Sequence, residues 1–200
     1  MTDHYMNVNV MKEAGYWEAM FGLGLNKKKG ATHAANVVAP KLCKMDGGHN
    51  KFLEEMLVWL EVRAPRYWWQ EADTYRLASK QSESTMHTLI DELLAVDENS
   101  VDDIIEYMGA NFESSVDSQI DLFHVLHDYS TDKDLVGLKA NLPEGFLQTR
   151  MWMVSYKTLR NIFQQRKNHR LPHWPDFIHQ VMVQIEYPEF LGDILGMTCG

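Results

Sequence analysis

The chain has 200 residues, of which 45% are hydrophobic and 24% charged, enough for one globular unit with its own core and no need of covalent staples. Its net charge of −9 argues against a non-specific grip on duplex nucleic acid. A local basic pocket for one small anion is compatible with that total.

Taken in chain order, the opening MTDHYMNVNVMKEAG is polar and acidic and does not read as a signal peptide. The first 47 residues carry little pattern. Gly22–Gly30, GLGLNKKKG, reads as a flexible basic loop; it lacks the Gly-Lys-Ser/Thr ending and the preceding apolar strand of a phosphate loop. Gly47-Gly48 marks a turn and Lys51–Glu55 a short helical turn. Met56–Arg63, MLVWLEVR, is rich in strand formers, with Val58, Leu60 and Val62 on one face. Pro65 then opens a helix over Arg66–Arg76 that carries the cluster Tyr67-Trp68-Trp69, read as core or subunit interface. Ser79–Ser84 is polar and reads as loop.

The C-terminal half reads as helical. Met86, Leu89, Ile90, Leu93 and Leu94 share one helix face. Val116, Ile120, Phe123 and Leu126 share another after a cap region at Ser114-Ser115. The charge run Asp97–Glu106 reads as a solvated face. Leu142-Pro143 interrupts, a long helix follows over Glu144–Gln165, and a last helix opened by Pro175 buries Trp174, Phe177, Ile178, Val181 and Ile185. One strand region among helices predicts an α+β, helix-rich fold. Cys43 and Cys199 have no metal-ligand spacing, so reduced thiols, no metal site and a cytoplasmic setting are expected. No run of about 18 apolar residues predicts a membrane helix, and no internal repeat or linker divides residues 1–200.

Three segments hold polar residues where core would otherwise continue. They are G-H-N-K-F-L-E at Gly48–Glu54, Q-E-A-D-T-Y-R-L-A-S-K-Q-S-E-S-T-M-H at Gln70–His87, and the stretch from Lys139 through Leu142-Pro143 to Arg166. Ser79 and Ser84, leading into the Met86 helix, offer hydroxyl and amide donors for a phosphate. Placed on one helix, Ser155 and Arg166 would return to nearly the same face three turns apart, and an arginine ending that stripe suits a planar bidentate partner. Each feature also has a plainer reading: Arg166 as a charge complementing its helix C-terminus, His49 as a surface residue, and the two serines as helix caps.

In order and spacing these segments resemble the flavin-dependent thymidylate synthases. That family carries G-H-x-x-P-F-E, a strand ending in A-P, R-Q-x-x-R-H-R-x-x-S-x-N-E-x-S-x-R-Y, A-R-x-x-L-P and N-x-R-x-L-x-N-x-x-x-x-R. The match runs without a gap from Gly48 to His87, through Ala64-Pro65, and resumes at Leu138–Pro143 and Ser155–Arg166. The resemblance implies a helix-rich α+β fold with a small central sheet. It implies one-carbon transfer, methyl or hydroxymethyl, to C5 of a pyrimidine deoxynucleotide monophosphate, dUMP or dCMP. FAD, methylenetetrahydrofolate and NADPH would serve as cofactors, and the assembly would be a homotetramer sharing sites between subunits. It implies Arg166 as the catalytic contact to the pyrimidine, with Glu71, Ser84 and Lys139 also on the nucleotide. His49, Arg76, Ser79, Gln81, Ser155 and Asn161 would face the flavin. A phage-encoded member acting in host cytoplasm fits the same picture.

The departures are as specific as the match. Thr74 and Tyr75 replace the first two residues of R-H-R, leaving Arg76; Gln81-Ser82 replaces Asn-Glu; Gln70-Glu71 replaces Arg-Gln; and Met86-His87 replaces Arg-Tyr. Lys139 and Lys157 stand where the family has arginine. A lost donor facing a phosphate costs on the order of 1–3 kcal/mol, so Lys51, Lys80 and His87 are candidates to compensate. Glu71 accepts hydrogen bonds only, which would favour an amino-bearing base such as cytosine. The alternative is a binding or structural protein that keeps the fold without the chemistry.

Overall fold

The computed structural model describes residues 6–26, 28–45, 47–113 and 119–192. Four strands, β1 (Asn7–Ala14), β2 (Leu57–Pro65), β3 (Ala78–Ser82) and β4 (Leu147–Ser155), form one sheet in the order β1-β2-β4-β3. The fold is α+β and rich in helix, as expected, with more sheet than the sequence pattern revealed.

By contacts the chain divides into two compact units, the first of residues 1–62, 73–81 and 150–200, the second of 63–72 and 82–149. In the first, α1 (Tyr16–Leu25) follows β1, and a continuous helical stretch combines α2 (Ala31–His33), a π-turn (Ala34–Val38) and α3 (Ala39–Leu42). A 3-10 turn (Lys51–Glu54) precedes β2, while α9 (Tyr156–Arg166) and α10 (His173–Met182) follow β4. The alternation in β2 buries Val58, Leu60 and Val62, and β4 adds Trp152 and Val154. Leu159, Ile162 and Phe163 of α9 and Trp174, Phe177 and Val181 of α10 are also fully buried. Phe177 stands at the centre of the aromatic packing, with ring centroids 5.7 Å from Trp152, 6.0 Å from Trp174 and 6.4 Å from Phe163.

Strand β1 is a sheet edge, and two side chains cover it, Gln180 of α10 and Gln184 just past the end of that helix. Gln180 Oε1 accepts from Val8 N at 2.8 Å and Gln184 Oε1 from Val10 N at 3.1 Å. Their amide nitrogens donate back to Met6 O at 3.2 Å and Val8 O at 2.7 Å. The i, i+4 pair thus stands in for a missing neighbouring strand and blunts an edge open to pairing with other chains. At the end of β1, Gly15 has φ +92°, and a Cβ there would lie 2.0 Å from Glu55 O. Only glycine allows this entry into α1.

The second unit contains α4 (Arg66–Ala72), α5 (Leu89–Leu94), α6 (Val101–Asn111), α7 (Gln119–Thr131) and α8 (Leu135–Asn141). Its core includes Leu89, Leu93, Ile104, Met108, Phe123 and Leu138. Trp68 and Trp69 are fully buried, and Trp69 Nε1 donates to Gln148 O at 3.0 Å, which agrees with their reading as core. Ser100 and Asp134 cap α6 and α8 through Asp103 N and Gly137 N. The Asp97–Glu106 run is exposed apart from the half-buried Ser100 and the buried Ile104.

Several expectations are corrected. The long helix over Glu144–Gln165 is instead strand β4 followed by α9: Leu147, Met151 and Val154 fit a helical period, but they lie within the sheet between β2 and β3. Ser79–Ser84 is not wholly loop, since Ala78–Ser82 forms the edge strand β3 without any hydrophobic alternation. Pro65 ends β2 rather than opening a helix, and α4 stops at Ala72. The helix at Met86 begins only at Leu89 and leaves Met86 exposed. Gly22–Leu25 is helical within α1, and β1 lies in the segment that carried no assignment. The cap region at Ser114-Ser115, Val116 and Cys199 lie outside the described residues. Among the described residues no helix is long and apolar enough to cross a membrane.

Replacing Gln180 and Gln184 together by alanine is expected to lower the unfolding free energy by about 1–3 kcal/mol, because four backbone groups at the strand edge lose partners that water only partly replaces. Urea denaturation checks this, and light scattering should show self-association through the uncovered edge. Unchanged stability would refute the edge-cover role.

Candidate functional site

Ser155 ends β4 and caps α9, its hydroxyl accepting from Thr158 N at 3.2 Å. From that start Lys157, Arg160, Asn161 and Gln164 follow at i, i+3, i+4 and i+7, which puts four polar side chains on one helix face. They line a cavity of about 320 Å³, closed on other sides by Asn50, Glu54 and the segment Thr74–Leu77. Thr158 ties that segment to the helix by donating to Leu77 O at 3.2 Å.

The cavity collects positive charge from Arg76, Lys157 and Arg160 against a single lining carboxylate, Glu54. Asn50, 1% exposed after the Gly47-Gly48 turn, accepts from Lys157 Nζ and donates to Cys43 O at 3.4 Å. Arg160 is buried, and its Nη1 donates to Phe190 O at 3.0 Å. An arrangement of cations and amides around a volume at the low end of small-molecule sites suits an anionic or carbonyl-rich heterocyclic ligand.

Tyr75, another lining residue, leads from the cavity to Arg166. Arg166 Nε donates to Tyr75 Oη at 2.9 Å, and Tyr75 Oη donates to Gln165 Oε1 at 3.0 Å. The guanidinium lies 4.7 Å from the ring centroid of Trp174 and 5.7 Å from that of Tyr75, and its Nη1 is 2.8 Å from His169 Nε2. Arg166 is therefore held on a chosen face by two aromatic rings and a hydroxyl.

Of the residues singled out in sequence, Arg76 and Asn161 line this cavity, and Ser155 supports it as the cap of α9. Ser155 and Arg166 stand at opposite ends of α9, the first as its N-cap and the second as its last residue. His49 lines a different cavity of about 290 Å³ with Asn26, Gly48 and Lys51. Ser79 and Gln81 are exposed on β3. Lys80 pairs with Asp73 at 3.3 Å and sits 5.0 Å over Trp152, so it is engaged within the first unit.

Glu71, Ser84 and Lys139 belong to the second unit. Glu71 is half-buried near the end of α4, and Lys139 is exposed in the last turn of α8. Ser84 is exposed; its carbonyl accepts from His87 N, Thr88 N and Thr88 Oγ1. Its neighbours Glu83 and Thr85 line a cavity of about 410 Å³ in that unit. Asn50 and Gln164 were not singled out from sequence. The i, i+3, i+4, i+7 polar spacing on α9 could have indicated Gln164; nothing local indicates Asn50. Among the described residues no cluster of His, Cys, Asp and Glu could hold a metal ion.

No protein-family model matches the chain, and no curated protein matches it. Solved structures do, among them two of the flavin-dependent thymidylate synthase ThyX from Helicobacter pylori in complex with FAD and dUMP. One superposes with a TM-score of 0.74 at 14% identity, covering 95% of this chain and 99% of its own. The other gives 0.77 at 15% identity, over 94% and 99%. Over nearly its whole length this chain has the fold of the flavin-dependent thymidylate synthases, the fold that its ordered motifs resemble.

Proposed function

We propose that this protein is a flavin-dependent enzyme that transfers a one-carbon unit to C5 of a pyrimidine deoxynucleotide monophosphate. The observation that carries the reading is the cationic cavity on α9, with Arg76 and Asn161 brought to it, in a fold shared with two solved structures complexed with FAD and dUMP. The residues present fit a flavin. Arg76 and Lys157 offer charge-assisted donors, and Asn161 and Asn50 are amides able to donate and accept at a heterocycle edge. When bound, reduced FAD would mediate transfer from methylenetetrahydrofolate, with NADPH as reductant. The chain's own part is binding and orientation. Arg166 would polarise the pyrimidine or neutralise its phosphate, and the Tyr75–Trp174 cage would hold the guanidinium plane against rotation. Ser84 and Lys139 would contact the nucleotide, Glu71 would select the base, and His49, Ser79, Gln81 and Ser155 would complete or support the flavin site.

A second reading, a ligand-binding protein without the chemistry, draws on the same cage: Arg166 is already engaged by Tyr75 and His169. Flavin binding separates the two. FAD should bind below about 100 μM, equivalent to roughly −5.5 kcal/mol, and Arg76→Ala should weaken it at least tenfold. Absence of binding in a fluorescence-quenching titration would remove the cofactor from the proposal.

Arg166→Ala should abolish binding of dUMP and dCMP with the fold preserved in circular dichroism, and Glu71→Gln should shift preference toward dUMP by about 1–2 kcal/mol. Calorimetric titration of both variants decides; an Arg166→Ala variant that binds like the parent would overturn the assigned site.

Sharing of sites between subunits further calls for a homotetramer, and a cytoplasmic setting suits the soluble nucleotide substrate. Light scattering should then give a mass near four chains, and a concentration-independent monomer would refute the shared-site arrangement.

A further inference from the structure

Another cavity of the first unit, about 260 Å³, shares no lining residue with the one on α9. Four of its ten lining residues are aromatic: Tyr16, Trp17, Tyr156 and Tyr187. Tyr16 and Tyr187 stack with centroids 3.9 Å apart and planes 4° from parallel, and Trp17 stands edge-on to Tyr16 at 5.0 Å. The rings are fixed from beneath. Tyr156, 1% exposed, donates to Glu13 Oε2 and accepts from Tyr187 N at 3.2 Å, while Glu186 N donates to Glu13 Oε1 at 2.7 Å. The volume is several times the roughly 30 Å³ share of one water.

Three carboxylates, Glu13, Glu18 and Glu186, line the same cavity, and no lysine, arginine or histidine stands among its described lining residues. Glu18, in the first turn of α1, answers the partial positive charge of that helix end. Glu13 accepts hydrogen bonds from Tyr156 and Glu186 N, and no cationic side chain of the lining balances the charge of Glu13 or Glu186. Burial pushes the Glu13 carboxyl above the ordinary carboxylate range; the Tyr156 and Glu186 hydrogen bonds oppose that rise, and the Glu186 charge adds to it. The carboxylates do not converge tightly enough to hold a metal ion, since no metal-competent cluster exists among the described residues. A compact inorganic cation needs oxygens at about 2.0–2.6 Å around one point, whereas an alkylammonium group spreads its charge over C–H edges that aromatic faces attract.

We infer that this aromatic, acid-lined cavity binds a small alkylammonium ion, its charged head against the rings of Tyr16, Trp17 and Tyr187 and facing Glu13 and Glu186. The inference does not depend on flavin or nucleotide binding.

The test is calorimetric titration of the intact protein with choline, with putrescine and with Nα-acetyl-lysine methylamide, each against sodium chloride of equal ionic strength. Choline or putrescine should bind saturably in the millimolar range or tighter. Trp17→Ala and Glu186→Gln, both at exposed positions, should each weaken that binding at least fivefold with circular dichroism unchanged. Binding no greater than that of sodium chloride, or equal binding by the variants, overturns the inference. Binding of the capped lysine alone also overturns it, because the cavity would then take a lysine side chain of a partner protein and not a free ion.

Discussion

At Ser155 strand β4 stops and helix α9 begins, and the hydroxyl that accepts from Thr158 N also lies 3.1 Å from Thr158 Oγ1. Thr158 passes the constraint on to Leu77 O, fixing the chain segment that carries Tyr75 and Arg76. Once this junction is set, the helical period assigns the neighbouring side chains their places. Lys157, Arg160, Asn161 and Gln164 turn to the cationic cavity, Tyr156 turns to the acidic one, and Leu159, Ile162 and Phe163 go to the core. One cap thus orients both of these cavities.

The net charge of −9 conceals a local separation of sign. The cavity of Arg76, Lys157 and Arg160 and the cavity of Glu13, Glu18 and Glu186 have opposite lining charge, and their walls include adjacent residues of α9, Tyr156 and Lys157. Such a division gives each cavity a wall that disfavours ions of its own sign. Arg166 lies outside both linings. Its hold on Tyr75 links the far end of α9 to the cationic cavity, and the aromatic rings around it replace the positioning that a flexible side chain lacks.

The departures from the family pattern take on physical meaning in this frame. Tyr75, at the histidine position of R-H-R, is a ring and hydroxyl that engage Arg166 and Gln165. Thr74 lines the same cavity without charge, and Lys157, standing for an arginine, is anchored by Asn50. Cationic character at this cavity is supplied by Arg76, Lys157 and Arg160 together, although two positions of the motif have lost it.

The sequence by itself determined strand β2, whose alternation of Val58, Leu60 and Val62 has only one reading, and the last helix, where Trp174, Phe177, Ile178 and Val181 repeat with the helical period. It also determined the ordered motifs that point to this α+β fold. Periodicity succeeds there because a single buried face dictates the spacing. The tertiary structure alone decided β4, because Leu147, Met151 and Val154 follow the helical spacing and only pairing with β2 and β3 makes the segment a strand. It decided β3 as well, a polar strand that exists because β4 offers it an edge. The partnership of Asn50 with Lys157 and the Tyr75–Arg166 cage were equally beyond the sequence, since contacts between residues far apart in the chain leave no mark on the local pattern of either.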